Sequence, residues 1–456
     1  MLNKATRSYA LVATLASLAL GTTLAARLDE YRVVPSDHPA IAYRTTPADN
    51  PIEVLREKLS KDELKLEFDP NYGYLLSVLK ALDIPTSSQV LVFTKTSFQA
   101  PLIAPRLPRA IYHADDLSIG IVRLGEVLEI AVQDRNLGTV FYSLDQVQSS
   151  RPQFVRRGSE CLQCHQGPAT SGVPGLLVSS VFPERSGRPI FEAGFFVTDH
   201  RSKIEKRWGG WYVSGTTGSQ VHMGNLVVQD RADVGSVNLR DGANKTDLKE
   251  FLDIGAYVEP TSDVVSLMVL EHKTRMFNLI TRVGYETRVA FSNSNADRET
   301  PDASLDQLTE DDHKHVDVAI EELVGYMLYT DEEPLTDPIE GSSDYARDFQ
   351  QRGPRDKQGR SLRDLEMQTR MFKYPLSFLI YSDSFDGIPA PAKERIYERL
   401  REVLDGQDTS ERFARLTAED RTNIREILRD TKPDFAVPNR APNAREGSNA
   451  GGATNP

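Results

Sequence analysis

Cysteine is nearly missing from this chain, which has 2 cysteines in 456 residues. That count excludes a framework of several disulfides and a structural zinc site built on four cysteines. Without such cross-links the chain depends on an ordinary buried core. Its 39% of hydrophobic residues is close to a typical globular composition, so a core of that kind can form.

Positive charge is also in deficit. The chain has 54 lysines and arginines against 66 aspartates and glutamates, which gives a formal net charge of −12. Non-specific nucleic-acid binding needs clustered lysine and arginine to neutralise phosphates, so we expect no nucleic-acid partner. The acidic excess is compatible with a basic protein partner and equally with plain solubility.

Long apolar runs are missing except near the N-terminus. There, Lys4 and Arg7 precede an apolar run that starts at Ala10, and small residues follow it. This layout predicts a secretory signal peptide over residues 1–25 and therefore a periplasmic or otherwise exported protein. An uncleaved membrane anchor is the alternative, although the run is marginally short for a membrane span. Unless that anchor is retained, we expect no integral membrane protein.

Apolar periodicity predicts an α+β fold, with an antiparallel β-rich N-terminal and central region followed by a helical C-terminal region. Helical spacing is present at residues 51–61, 71–82, 259–283, 315–329, 375–381, 392–404 and 418–430. For the 259–283 stretch the expected capping residue is Thr261 or Ser262. Short β-type runs are present at residues 89–95, 109–113, 118–123, 127–133, 139–144, 175–182 and 189–198. Because the β-type runs are short and closely spaced, they favour an antiparallel sheet.

Both cysteines fall within S-E-C-L-Q-C-H-Q-G-P, residues 159–168, where His165 directly follows Cys164 and Cys161 lies three residues earlier. Three chemistries use such a pattern. A redox disulfide suits an exported chain, but thioredoxin-like pairs belong to a βαβ unit that the pattern does not predict here. Zinc needs four ligands, and no second cysteine pair is present.

The third chemistry is covalent haem. In the pattern C-x-x-C-H the two thiols add to the two haem vinyl groups, and the histidine becomes the proximal iron ligand. The motif uses both cysteines, and the predicted export signal would bring the chain to a compartment where haem is attached. We therefore expect one covalent haem c, bound by Cys161, Cys164 and His165.

The segment C-L-Q-C-H-Q-G-P-A-T-S-G-V-P-G-L resembles the haem-binding site of c-type cytochromes. The resemblance covers about residues 155–225, and the wider chain is similar to large exported bacterial proteins with a single such motif. It implies that a proline carbonyl of the following loop, at Pro168 or Pro174, accepts the second N–H of His165. The similarity of the wider chain supplies no reaction, and electron transfer to a redox partner protein is the first functional hypothesis for a haem held in this way.

The sixth iron ligand decides the type of function, because methionine or histidine closes the iron whereas an open position allows chemistry. The V-H-M-G-N stretch offers His222 or Met223, which follow a Gly- and Trp-rich run. His272, on a predicted helix, and His200 are further candidates, and an open iron is the remaining option. The V-H-M-G-N stretch is the first candidate, with His222 and Met223 not distinguished from each other, and the open iron and His272 come after it.

Arginines and aromatic residues near the motif are candidate neighbours of a haem. Arg207 and Trp208 begin the run R-W-G-G-W-Y. Arg207 would pair with a haem propionate, and Trp208 would pack on the porphyrin. Alternatively, both belong to a glycine-bent strand with aromatic residues in the core. Arg156 and Arg157, just before the motif, are propionate partners or solvated charges.

These observations divide the chain into a signal peptide (1–25), a helix plus antiparallel β region (27–150), a haem-binding c-type cytochrome-like region (151–245), a helical region (246–432) and a disordered tail (433–456). The expected function is electron transfer by an exported mono-haem protein. The alternative is a haem enzyme with an open distal site, peroxidase-like or acting on another small molecule. The sequence does not decide whether the protein is an enzyme.

Overall fold

A computed structural model describes residues 33–97, 99–300 and 303–436. The predicted signal peptide lies outside the described residues. The predicted C-terminal tail also lies outside them, except for its first residues, 433–436.

An antiparallel sheet of seven strands occupies the N-terminal half. Its strands are β1 (Val90–Val92), β2 (Arg109–His113), β3 (Leu117–Val122), β4 (Val127–Asp134), β5 (Gly138–Asp145), β6 (Phe154–Arg157) and β9 (Trp211–Tyr212). Their order across the sheet is β6-β5-β4-β3-β2-β1-β9. Two small antiparallel pairs accompany it, formed by β7 (Ser179–Val181) with β8 (Phe195–Val197) and by β10 (Gly215–Thr216) with β11 (Glu340–Gly341).

The helices lie mostly in the C-terminal half. They are α1 (Pro51–Ser60), α2 (Leu75–Ala81), α3 (Ser159–His165), α4 (Val264–Asn293), α5 (Glu310–Met327), α6 (Tyr345–Gln350), α7 (Asp383–Asp386), α8 (Ala390–Leu404), α9 (Ala418–Thr431) and α10 (Pro433–Ala436). This arrangement confirms the predicted α+β class. Residues 375–381 differ from the prediction, because only a 3₁₀ turn forms there, at Phe378–Tyr381.

The two faces of the sheet differ because side chains alternate along each strand. On one face Ile119, Ile130 and Tyr142 are aligned across β3, β4 and β5 and are all buried. On the other face Gly120 and Glu129 lie opposite each other. The first face packs into a core with α1 and α2, while part of the second face stays accessible beside the cysteine motif.

The long helix α4 crosses the structure and contacts the sheet along its length. Ser266, Lys273 and Tyr285 of α4 form hydrogen bonds with groups of β2, β3 and the β4–β5 turn. The helix begins at Val264, one or two residues after the predicted start. The cap is Asp263, whose carboxylate accepts the N–H groups of Val265 and Ser266, and not the predicted Thr261 or Ser262. A second core surrounds α4, α5, α8 and α9.

Candidate functional site

Both cysteines lie on a short helix at the edge of the sheet. The edge strand β6 ends at Arg157, Gly158 follows, and the chain then forms α3. Residues three or four apart on a helix share one side, so Cys161, Cys164 and His165 project from neighbouring positions. Cys161 is half-buried and Cys164 is exposed, and both are free thiols. A group attached to them would therefore be reachable from solvent.

His165 is held in one orientation. Its Nδ1 donates to the carbonyl oxygen of Gly175 at 3.0 Å, and the Gly175 N–H donates back to the His165 carbonyl at 2.9 Å. Its ring packs on Phe141 of β5, with centroids 4.9 Å apart. Burial lowers the pKa of His165, so the ring is neutral at pH 7. With Nδ1 protonated, Nε2 carries the lone pair, and no residue within the described ranges bonds to it.

The loop that carries Gly175 is itself anchored. The Thr139 N–H donates to the Pro174 carbonyl at 3.1 Å. The side chain of Asn278 on α4 bonds both the N–H and the carbonyl of Leu176, at 3.2 and 2.7 Å. A Cβ at position 175 would approach Asn278 Oδ1 to 2.1 Å, so only glycine fits this contact. The acceptor for His165 is thus fixed from two sides, by the sheet and by α4.

An ion pair lies on the sheet face near His165. Arg109 and Glu129 are 2.7 Å apart, and they act on the pKa of His165 in opposite directions, Arg109 lowering it and Glu129 raising it. Arg157 donates to the hydroxyl of Ser143 at 2.8 Å, and a second guanidinium nitrogen of Arg157 lies 4.0 Å from a carboxylate oxygen of Glu160. Arg156 instead bonds the carbonyls of Tyr43 and Thr46, so it holds the N-terminal segment. Of the two predicted arginines, Arg157 is thus the one beside the motif.

The Cys161 thiol is not activated. Burial raises its pKa to about 11, and the neighbouring Glu160 adds to the rise. Cysteines that exchange disulfides have lowered pKa values, because the thiolate is the attacking species. Cys161 therefore stays a protonated thiol at neutral pH, which is unfavourable for a thioredoxin-like redox pair.

Arg207 and Trp208 lie in the interior. Arg207 is 3.4 Å from Glu271 of α4 and donates to the carbonyls of His200 and Ser202. Trp208 is fully buried and has a φ of +65°, a conformation that residues with a side chain adopt rarely. Arg207 thus belongs to a buried polar cluster with α4, while Trp208 packs in the hydrophobic core.

His222 and Met223 are buried beside Trp208. The ring of His222 contacts the indole edge-on, with centroids 5.1 Å apart, and its Nδ1 accepts the Gly224 N–H at 3.1 Å. Burial lowers its pKa to about 4. The Met223 sulfur is 3.6 Å from the hydroxyl of Ser180. The two side chains therefore have separate partners.

His272 is held on both ring nitrogens. Its Nδ1 lies 2.9 Å from Nδ1 of His200, and its Nε2 lies 2.8 Å from the hydroxyl of Ser377. The ring stacks on Tyr326 and Tyr329, and burial lowers its pKa to about 3. This environment is that of a satisfied core histidine.

The structure thus gathers the predicted residues into two sets. Cys161, Cys164, His165 and Pro174 form the motif with its loop. Arg207, Trp208, His222 and Met223 form the buried set, which His272 joins through the neighbouring Glu271. The acceptor for His165 is Gly175 rather than Pro168 or Pro174.

Phe141 and Asn278 are site residues that sequence reasoning missed. Phe141 lies in a predicted strand, but the local sequence does not show which face of the sheet α3 packs against. Asn278 lies on α4, 113 positions after His165 in the chain. Only the tertiary fold brings these residues to the motif.

Two larger cavities lie away from the motif, and neither is lined by its residues in the described part of the chain. One, of about 530 Å³, lies between α1 and the β4–β5 turn. The other, of about 270 Å³, lies at the C-terminal end of α5. The cysteine motif is thus a surface site rather than a closed cavity.

Comparison with known proteins gives no match. No protein-family model fits the chain, and no curated protein and no solved structure matches it. Among the described residues, no helix is long and apolar enough to cross a membrane.

The resemblance to c-type cytochromes is wrong. No family model supports it, and no group of three or more His, Cys, Asp or Glu side chains in residues 33–97, 99–300 and 303–436 could hold a metal ion. The similarity was carried by a short motif and its loop, whereas the surrounding chain forms a large antiparallel sheet and a helical half. That metal result concerns ions held by protein side chains alone, so the covalent haem itself stays a prediction.

Proposed function

We propose that Cys161 and Cys164 hold one covalent haem, with His165 as a ligand of its iron, and that the protein transfers electrons. The proposal rests on these residues and not on a family. The observation that carries it is the His165 ring, which is neutral, fixed by Gly175 through Nδ1 and turned so that Nε2 carries the lone pair. Metal-ligating histidines use their second nitrogen in this way.

The thiols fit the attachment chemistry. Each S–H adds across one vinyl double bond, with sulfur bonded to one carbon and hydrogen to the other, so no oxidant or reductant is needed. Both cysteines are free, and the pKa of about 11 keeps Cys161 protonated at neutral pH. The spacing C-x-x-C-H is the one that this attachment uses.

A haem bound there would supply a one-electron iron couple. His165 would hold the iron, the Gly175 carbonyl would orient the ring and increase its basicity, and Phe141 would pack beside it. Arg157, at the margin of the motif, would pair with a propionate. Because Cys164 is exposed, the site keeps the contact with solvent that electron exchange with a partner requires.

The proposal includes export to the periplasm, which residues 1–25 predict, because haem is attached in that compartment. The partner would be a redox protein, and the net charge of −12 favours one with a basic surface.

A haem enzyme with an open distal position is the second candidate. The favouring observation is that the predicted distal ligands have other partners. His272 uses both ring nitrogens, His222 accepts a backbone N–H, and the Met223 sulfur contacts Ser180. A haem held only by His165 would leave a position open to a small-molecule substrate.

Haem attachment is tested by expressing the full chain in a periplasm with haem maturation active. After denaturation, we expect haem to remain on the chain, detected by haem staining and by the mass of the intact protein. Changing both Cys161→Ala and Cys164→Ala should abolish this retention, while the matched control Gln163→Ala, exposed on the same helix, should keep it. A chain that matures without haem contradicts the proposal.

Optical spectra separate the two functions. A low-spin spectrum that does not respond to cyanide supports electron transfer, whereas a high-spin spectrum that shifts with cyanide supports the enzyme. If the spectrum is low-spin, it should become high-spin in only one of three variants, His222→Ala, Met223→Ala and His272→Ala. That variant identifies the second iron ligand. Circular dichroism of each variant checks that the buried substitution leaves the fold intact.

A further inference from the structure

Three loops form one continuous surface at one end of the large sheet. Because β1 to β6 are consecutive antiparallel neighbours, the β1–β2, β3–β4 and β5–β6 loops all leave the sheet at the same end. Gln99 of the first loop accepts the Glu126 N–H of the second at 2.9 Å, and the Glu126 carbonyl accepts the Gln146 N–H of the third at 2.8 Å. We refer to this surface as the loop end, which comprises residues 93–108, 123–126 and 146–153.

Each of the three loops exposes an apolar side chain. Leu102, Leu124 and Val147 are 39%, 83% and 71% exposed, respectively. A single exposed apolar residue is ordinary on a protein surface, but here one projects from each of three neighbouring loops. Leu124 also has a φ of +63°, a left-handed conformation that favours glycine. The β3–β4 loop thus keeps a leucine that neither packs in the core nor suits its backbone.

Each loop also carries an exposed arginine. Arg106, Arg123 and Arg151 form no salt bridge with any residue that the structure describes. Exposed arginines of the helical half are often paired instead, as Arg347 is with two aspartates and Arg425 with one. Three guanidinium groups at the loop end are therefore available to an external anion.

The loop end is basic although the whole chain is acidic. Its residues include the three arginines and Lys95 but a single acidic residue, Glu126. Asp145, the last residue of β5, lies directly beside it. The complete chain has 54 basic against 66 acidic residues, so this local excess runs against the composition.

A neighbouring turn adds two more arginines. The Lys95 N–H donates to the Gly187 carbonyl at 3.0 Å, which fixes the turn at residues 184–188 against the β1–β2 loop. Arg185 and Arg188 of this turn are exposed and form no salt bridge within the described ranges. Glu184 is the one acidic residue of the turn. The turn thus extends the basic surface.

We propose that the loop end binds the surface of an anionic lipid membrane. Its guanidinium groups pair with lipid phosphates, whose oxygens match their planar fork. Leu102, Leu124 and Val147 enter the boundary between headgroups and acyl chains. A lipid surface accommodates both kinds of side chain, whereas an acidic protein surface would match only the arginines. Nothing in this proposal depends on the haem.

Co-sedimentation of the full chain with vesicles of phosphatidylcholine and phosphatidylglycerol tests the proposal. Binding should increase with the fraction of phosphatidylglycerol and fall as salt screens the charges. Arg123→Gln should weaken binding about fivefold, which is the usual contribution of one basic residue at an anionic surface. Arg135→Gln is the matched control, because Arg135 is exposed in the β4–β5 turn at the opposite end of the sheet. It should bind like the parent.

Leu124→Gly separates membrane binding from folding. Glycine suits the φ of +63°, so the thermal unfolding midpoint should stay equal or rise. Vesicle binding should nevertheless weaken several-fold, because an apolar side chain no longer enters the lipid. Val318→Ala is the control, since Val318 is an exposed apolar residue on α5, away from the loop end.

The apolar segment near the N-terminus is common to the parent and all variants, so any lipid affinity of its own cancels in these comparisons. The proposal is overturned by binding that does not depend on phosphatidylglycerol, by equal affinities of Arg123→Gln and Arg135→Gln, or by equal affinities of Leu124→Gly and the parent. If the chain binds polyglutamate but no vesicles, the loop end serves an acidic protein surface and the assignment to lipid is wrong.

Discussion

At the residue scale, the orientation of His165 depends on a side chain that is distant in sequence. Asn278 bonds both the N–H and the carbonyl of Leu176, and Leu176 follows the residue whose carbonyl accepts from His165. The approach is so close that a Cβ on Gly175 would collide with the Asn278 amide. Asn278 is therefore a positioning residue for the histidine.

Asn278→Ala should lower the free energy of unfolding by about 1–3 kcal/mol, because it leaves the N–H and the carbonyl of Leu176 without their partner in a partly buried place. Chemical denaturation measures this loss. In haem-loaded protein the same variant should also shift the reduction potential, because His165 loses its fixed acceptor.

Asn71→Ala is the control for this substitution, because Asn71 is exposed. It should change the unfolding free energy by less than about 0.5 kcal/mol, as ordinary surface substitutions do. Equal stability of the two variants would show that Asn278 does not hold the loop.

At the element scale, the start of α4 is determined by one carboxylate. Asp263 accepts the N–H groups of Val265 and Ser266 at the helix end, and its other oxygen accepts those of Ser342 and Ser343. The residue thus caps the central helix and ties it to the chain near β11.

Asp263→Ala should lower the unfolding free energy by about 2–4 kcal/mol, since a cap is lost and buried N–H groups lose their acceptor. Thermal and urea unfolding measure it. Thr261→Val is the control, because within the described ranges the Thr261 hydroxyl is buried without a partner, so its removal should be neutral or slightly stabilising. If Thr261→Val proves the more harmful change, Asp263 is not the cap.

The sequence predicted elements better than their ends. The strands at 109–113, 127–133 and 139–144 follow from local alternation and match β2, β4 and β5 within a residue or two. The start of α4 was misplaced because Thr261, Ser262 and Asp263 are all capping residues, and only tertiary contacts select among them. Short strands such as β6 were missed because pairing with a neighbour, rather than composition, makes them strands.

As with the elements, the part of the candidate site that is local in sequence was predictable, and the part that depends on tertiary contacts was not. Cys161, Cys164 and His165 were found because their spacing is local and chemically specific. Gly175, Phe141 and Asn278 reach the motif only through the sheet and α4. For the same reason the sequence could not tell that His272 would be enclosed by Tyr326 and Tyr329.

At the scale of the whole molecule, α4 joins the sheet to the helical half through buried polar contacts. Lys273 is one of these contacts. It is buried and donates to the carbonyls of Ala114 and Leu117 and to the hydroxyl of Ser118. Burial lowers its pKa to about 7, although Asp115 and Asp116 act to raise it. The junction between the two halves therefore contains an amine that titrates near neutral pH.

This amine makes stability depend on pH. In the unfolded chain a lysine keeps its proton up to about pH 10.4, whereas folded Lys273 loses it near pH 7. Between these values the unfolded state binds more protons, so stability rises with pH, at most by about 1.4 kcal/mol per pH unit. Below pH 7 both states are protonated and this contribution is constant.

Lys273→Met removes this titration, so the stability of the parent relative to the variant should increase between pH 7 and about 9. Urea unfolding at several pH values measures the difference. Other groups that titrate in this range, including Cys161 and the tyrosines, are common to both proteins and cancel. Lys357→Met is the control, because Lys357 is exposed, and its curve should run parallel to that of the parent. Parallel curves for Lys273→Met as well would mean that folded Lys273 keeps an ordinary pKa, and that the junction tolerates a buried ammonium ion through its three oxygen acceptors.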